Sequence, residues 1–508
     1  MTRGSGLSKL PGLVAAILVA GLCLGTLVPL LRVGQGGLAT ADWAALRFTV
    51  LQALLSAGFS VGLAVPEARA LARRVFPGRG ALVTLLGAPF LLPVIVAVMG
   101  LLALFGRSGL LNGALGALGL PRISIYGLHG VVLAHLFLNL PLATRLILQG
   151  WLDIPAERFR LAATLNAPIW PLLERPMLRR VLPGAFAAIF ALCLTSFSVA
   201  LILGGGPRAT TVELAIYQAI RFEADFSGAA QLALILYAFC GLAAGLALWL
   251  SPKALGGAGL GRAVERWDAK GPAARMADTA WIGLACLFLV LPLGLAVLRG
   301  LGGLTELPSG VAGAALRSII VALGATALTL VLALALAFRG GTLTQLAGAL
   351  PLAASSLVLG TGLLLVVRSF VPLHAVALPV TALVDALVAL PFALRALSPA
   401  LAEVEARHGR LADALGLTGL ARLRIVVLPL LRPVLGFAAG LGSALSMGNL
   451  GVIALFGGEG QETLPLLMAR LMGAYRMDAA AGVGLLILAL ALLLFWVFDQ
   501  GGRRRAPS

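Results

Sequence analysis

Charge is scarce in this chain. Only 11% of its 508 residues are Asp, Glu, Lys or Arg, against about 25% in soluble proteins, while 60% are hydrophobic. With a mean hydropathy of +1.03, an ordinary soluble globule is excluded and a bilayer is the expected solvent. Lysine is almost missing: Lys9, Lys253 and Lys270 are the only three, so the net charge of +18 rests on arginine. Those arginines sit just outside apolar runs, which marks membrane orientation and argues against nucleic acid as a partner. None of the lysines follows a GxxxxG loop, so the chain lacks the phosphate-binding motif of P-loop ATPases. Cys23, Cys193, Cys240 and Cys286 lie inside apolar runs with no CxxC pair, which predicts packing roles and neither a disulfide framework nor a metal site. There is no A-x-A cleavage site after the first apolar run, and Leu22 is the wrong residue before Cys23 for a lipoprotein, so that run reads as an uncleaved helix.

What the chain does have is long apolar segments and 63 glycines, which membrane helices use for close packing. A span needs about 20 apolar residues to cross a hydrocarbon core roughly 30 Å thick. On that basis spans are predicted near 10–31, 47–66, 81–105, 126–148, 181–204 and 228–250, then 279–299, 313–337, 343–368, 373–396, 430–456 and 480–499. The fold class expected is an all-α polytopic membrane protein of twelve transmembrane helices. With both termini inside, roughly 26 of the 38 Lys and Arg fall on the cytoplasmic side, among them Arg69, Arg73, Arg74, Arg79 and the tail Arg503-Arg504-Arg505. N- and C-termini are therefore expected in the cytoplasm.

The chain repeats itself. Arg160-Leu161-Ala162-Ala163-Thr164-Leu165-Asn166 returns at 410–416 as Arg410-Leu411-Ala412-Asp413-Ala414-Leu415-Gly416. Pro141 and Arg145 return as Pro391 and Arg395 at the same offset of 250, whereas Pro176, Arg179, Val199 and Asp225 return as Pro429, Arg432, Val452 and Asp478 at an offset of 253. Three residues are thus missing from the first copy between Asn166 and Pro176. An even number of spans per half makes the repeats parallel, related by an axis along the membrane normal. Residues 1–250 form the first repeat, with its loop at 150–180. Residues 251–278 are a linker rich in Gly, Ala and charge, and 279–508 form the second repeat, with its loop at 399–429. In each loop Gly416 or Asn166 suits the positive φ that reverses a chain after a helix, and small Ala162 and Ala412 allow close packing of that helix into a partner's groove.

The second loop reads Arg410-Leu411-Ala412, three residues, Gly416, nine residues, Val426-Val427-Leu428-Pro429. It resembles the E-A-A, three residues, G, nine residues, I-x-L-P signature of permease subunits of binding-protein-dependent ABC importers, with Arg410 where Glu is usual. The first loop matches at Ala162, Leu165 and the glycine position, taken by Asn166, and also carries Arg160 in place of Glu. The resemblance implies two six-helix type I importer permease domains in one chain. It also implies a homodimeric ABC ATPase docked on Arg160, Leu161, Ala162, Leu165 and Asn166 and on Arg410, Leu411, Ala412, Leu415 and Gly416. ATP and Mg would sit on that partner, with no cofactor on this chain. A periplasmic binding protein would deliver substrate at the bacterial inner membrane.

Fused permeases of this size occur in the thiamine and ferric-iron branches. Leu203–Gln218, with Gly204-Gly205-Gly206-Pro207-Arg208, and Ser446-Met447-Gly448-Asn449-Leu450-Gly451-Val452 resemble the thiamine branch. Thiamine or its phosphates are the implied substrates, with ferric iron the alternative and a proton-driven facilitator the rival from another class. Candidate pathway residues are His135 and Asp385, equivalent at an offset of 250, and Ser196 and Asn449, equivalent at 253. An acid inside a span is costly and an anionic Asp385 would suit a thiazolium cation. Each of the four also has a plain alternative role in helix packing.

Overall fold

The computed structural model describes residues 10–87, 92–204, 206, 209–250, 266, 269–458 and 460–503. Arg3, Lys9, Gly205, Pro207, Arg208, Arg504, Arg505 and most of the 251–278 linker lie outside the described residues. Within them every regular element is helical. Among the described residues eleven helices are long and apolar enough to cross a bilayer, and a twelfth span results if the bent pair Thr342–Ala353 and Ser356–Val367 counts as one.

The third span of each repeat, expected to be continuous, is broken. In the first repeat the short helix Arg79–Leu85 is separate from Val94–Phe105, which starts behind Pro93. In the second, Thr342–Ala349 and a 3₁₀ turn over Leu350–Ala353 meet Ser356–Val367 at 90°. Pro93, with no N–H to give a preceding turn, stands at the start of the first new helix. The second break falls at Ala354 and Ser355, whose backbones are extended, while Leu350 keeps helical geometry ahead of Pro351. At the second break Ser355 Oγ accepts from Val358 N at 3.1 Å and starts the new helix. Both new helices are 12 residues long.

The chain divides into two compact units, Met1–Leu38 with Ala215–Gly241 and Gly303–Ser508, and Ala39–Leu214 with Leu242–Gly302. This division differs from the repeat boundaries because each repeat lends its first helix to the other unit and the first repeat also lends Ala215–Gly241. In one unit the N-terminal span meets second-repeat helices so closely that a Cβ on Gly362 would lie 2.5 Å from Thr26 Cβ. In the other, Pro272–Gly303 packs on first-repeat helices. Phe288 meets Phe137 edge-on at 5.7 Å, Gly100 faces the Pro292 carbonyl, and Arg299 Nη2 donates to Ser108 O at 2.6 Å. Glycine and alanine at these crossings let backbones approach where lipid supplies no hydrophobic drive between helices.

Candidate functional site

In each loop singled out in the sequence a helix ends in the same cap. Ala156–Thr164 ends where Asn166 takes φ 46°, and the helix through Ala414 ends where Gly416 takes φ 65°. In the first, Asn166 N donates to Ala163 O at 3.2 Å and Ala167 N to Ala162 O at 2.8 Å; in the second, Gly416 N donates to Asp413 O at 3.1 Å and Leu417 N to Ala412 O at 2.9 Å. These are paired Schellman caps, and left-handed backbone is where Gly, then Asn, is favoured. The outward faces match as well. Leu161 and Leu411 are each 60% exposed, and Leu165 and Leu415 are 67% and 65% exposed, with Arg160 and Arg410 exposed beside them. Ala162 and Ala412 are buried in their own chain, so their small size serves packing of the helix onto its own unit, not entry into a partner's groove. A π-helical turn follows each cap, at Trp170–Glu174 and at Leu423–Val427, with Pro176 and Pro429 just beyond. A proline ring clashes with the carbonyl four residues back and widens the turn before it.

The loops differ in what holds them. Leu373–Ala414 is one helix of 42 residues, so the second loop's helix is a rigid extension of its membrane span. In the first repeat Leu128–Leu152 ends before Pro155, which starts Ala156–Thr164 as a separate element. The residues missing from the first loop lie between Asn166 and Trp170. The corresponding stretch from Gly416 to Leu423 contains the turn Gly419–Arg422, and its Arg422, only 4% exposed, pairs with Glu405 and Asp413.

In the first repeat the ionic centre is Glu174, which is fully buried. Arg69 Nη2 lies 2.9 Å from Oε2, Arg266 Nη1 lies 2.9 Å from Oε1, and Trp151 Nε1 donates to Oε1 at 3.1 Å. Arg69 also lies over the Trp170 ring and Arg266 over the Phe159 ring, at 5.5 and 4.8 Å. Buried Asp278 takes Arg73 Nε at 2.8 Å and Arg74 Nε at 2.6 Å. Sequence reasoning missed this set. Glu174 could have been noticed as an acid in a basic loop, but its arginine partners are 105 and 92 residues away, with no periodic signal.

Within the membrane, the four candidate residues fall into two groups, one in each unit. Asp385 is buried and accepts from Ser446 Oγ and from Asn449 Nδ2, the latter at 2.6 Å. Asn449 Oδ1 in turn accepts from Gly451 N at 3.1 Å, which fixes its orientation. His135 is buried with Nδ1 3.3 Å from Ser56 Oγ. Ser196 is half-buried and makes no capping bond to the helix it precedes. Neither Ser196 nor Asn449 is mid-helix: Arg175–Leu194 breaks before Phe197–Leu203, and Leu428–Met447 breaks before Gly451–Phe456. Such interrupted helices place free backbone groups and polar side chains at membrane depth, where transport sites are built.

Two repeats of membrane helices, each with a capped helix presenting leucine and arginine outward, make the architecture of a two-domain ABC permease. Its relatives agree. The thiamine transport system permease protein ThiP of Salmonella typhimurium is 39% identical over 98% of this chain and 97% of its own length. The ThiP of Escherichia coli is 38% identical over 90% and 89%. More distant is the sulfate transport system permease protein CysW of Synechocystis, 27% identical over 38% of this chain and 71% of its own. No protein-family profile matches the chain. The chain belongs to the family of thiamine transport system permease proteins.

Proposed function

We propose that this chain is the membrane subunit of an ATP-driven importer that takes thiamine or its phosphates from a periplasmic binding protein. It lies in the bacterial inner membrane with both termini in the cytoplasm. A homodimeric ABC ATPase, carrying ATP and Mg, docks on the two capped helices, one subunit on Leu161 and Leu165, the other on Leu411 and Leu415. The observation that carries this reading is the matched exposure of those leucines at the ends of two identical caps. Apolar side chains kept that exposed beside arginine, at capped helix ends, suit a protein partner's groove. Closure of the ATPase on nucleotide would draw the two helices together and switch the membrane helices between inward- and outward-facing states.

The polar residues at the broken helices support a pathway role for Ser196 and for Asp385 with Asn449, with His135 on the matching helix of the first repeat. Asp385 supplies a negative group suited to a thiazolium ring. The test is uptake of labelled thiamine into vesicles holding the permease, its ATPase and its binding protein, with thiamine monophosphate and diphosphate as competitors. ATP-dependent uptake is expected. Uptake that persists without nucleotide and follows a proton gradient would establish the facilitator reading instead, and uptake of ferric iron but not thiamine would move the chain to the iron branch. Leu161→Asp with Leu411→Asp should abolish nucleotide-dependent uptake while the permease still inserts.

A further inference from the structure

The two docking helices are backed by an arginine at the same register, and the two arginines come from different parts of the chain. Behind the second helix, Arg422 lies against Gly409, where an added Cβ would come 3.1 Å from Nη2. Position 409 corresponds to Phe159 in the first helix, and there the guanidinium of Arg266 covers the ring. Both arginines are 4% exposed. Arg422 ends the turn Gly419–Arg422, and the position 253 residues earlier, in the shortened first loop, is Ile169. We propose that Arg266, in the segment joining the repeats, is the positioning residue of the first docking helix and replaces the arginine that the first loop has lost.

The second repeat supplies the control for this assignment. Trp151, Glu174 and Leu178 correspond to Leu401, Val427 and Leu431, which form an apolar core with Phe338 and Leu334 packed on it. Thr49 and Ser318 do the same job in the two repeats, accepting from Val212 N and Leu464 N respectively, and that register places Phe338 where the first repeat has Arg69. The fold therefore closes at this point with no charge at all. A buried ion pair is seldom more stable than the apolar set that can replace it, so its retention points to a specific path or register. Here the buried carboxylate of Glu174 is what holds Arg266. Pro155 makes the need plain: the first helix is cut off from its membrane span, while the second continues from its own without a break.

The assignment rests on the docking reading above, and the test separates the two. Permease in lipid nanodiscs is titrated with its ATPase subunit in the presence of binding protein, and the half-saturating ATPase concentration is read apart from the maximal hydrolysis rate. Arg266→Ala should raise the half-saturating concentration about tenfold with the maximal rate retained, and Arg266→Lys, which keeps the charge without the planar fork, should fall between it and the parent. Should the alanine variant not accumulate, Phe159→Leu, which removes the ring beneath the guanidinium, carries the same expectation. An unchanged half-saturation, or a lower maximum at unchanged half-saturation, overturns the role of Arg266, the second being the result of a merely weakened fold. Leu161→Asp with Leu411→Asp is the comparison. If it shifts half-saturation and Arg266→Ala does not, only the positioning role fails; if neither does, the docking reading fails with it.

Discussion

Asn449 Nδ2 donates to Asp385 Oδ1 across 2.6 Å and ties a continuous membrane helix to the break in its neighbour. Replacing Asp385 by Ala leaves the Asn449 amide without that partner, which should lower stability by about 1–3 kcal/mol. Asp385→Asn keeps the shape and removes the charge. It should melt within a few degrees of the parent yet show a reduced maximal rate of thiamine uptake, since its side chain no longer complements a cation. Melting of the purified permease and initial uptake rates measure the two effects, and parental uptake in Asp385→Asn would remove Asp385 from the pathway.

Gly416 holds φ at 65° and donates its N–H to Asp413 O. Proline fixes φ near −65° and has no N–H, so Gly416→Pro breaks the cap on both counts. The variant should insert normally and lose binding-protein-stimulated ATP hydrolysis. Gly416→Ala should cost only about 1–2 kcal/mol, the ordinary penalty for a Cβ in left-handed backbone. At the equivalent Asn166, with φ 46°, substitution by Gly should be neutral or slightly stabilising in a melting experiment. Undiminished hydrolysis in Gly416→Pro would exclude the second loop from coupling.

The loops were legible in the sequence because their determinants are local. A residue tolerant of positive φ, a small residue on the inner face and a proline further on all lie within one short stretch, and duplication separates them from chance. Membrane spans were legible through apolar length, but the breaks at Pro93 and at Ala354-Ser355 were not, because a hydropathy window sums side chains and ignores backbone conformation. Glu174 was illegible for a different reason. Its partners Arg69 and Arg266 converge from distant segments on either side, with Trp151 from the loop's own start, and no spacing rule relates them. The loan of Leu10–Val33 and Pro272–Gly303 to opposite units was hidden as well, since Ala- and Leu-rich helix faces look alike whichever neighbour they meet.

Gly100 tests one of those loans. A Cβ there would sit 2.5 Å from the Pro292 backbone oxygen, which no side-chain rotation relieves. Gly100→Ala should therefore destabilise the unit by about 1–3 kcal/mol through forced separation of the two helices. Gly113, also helical, has nothing within 4 Å of its added Cβ, so Gly113→Ala should be neutral or stabilising by up to about 1 kcal/mol. Similar melting of the two variants would contradict the close crossing.

The first repeat also buries a polar pair that the second does without. Thr144 Oγ1 donates to Glu67 Oε2 at 2.9 Å, while Glu67 Oε1 is buried without a partner among the described residues. By the register that aligns Thr49 with Ser318, Glu67 corresponds to Leu336, and Thr144 corresponds to Leu394 at the offset of 250. Leu336 and Leu394 both reach the open side of Gly348, so the second repeat has an apolar contact here. Removing one member of a buried polar pair strands the other, whereas replacing both with apolar groups of suitable size need cost nothing. Thr144→Leu alone should lower stability by about 1–3 kcal/mol, and adding Glu67→Leu should restore or exceed parental stability. A double variant no more stable than Thr144→Leu would mean that the two repeats do not share this packing, because the same pair of leucines would then stabilise one and not the other.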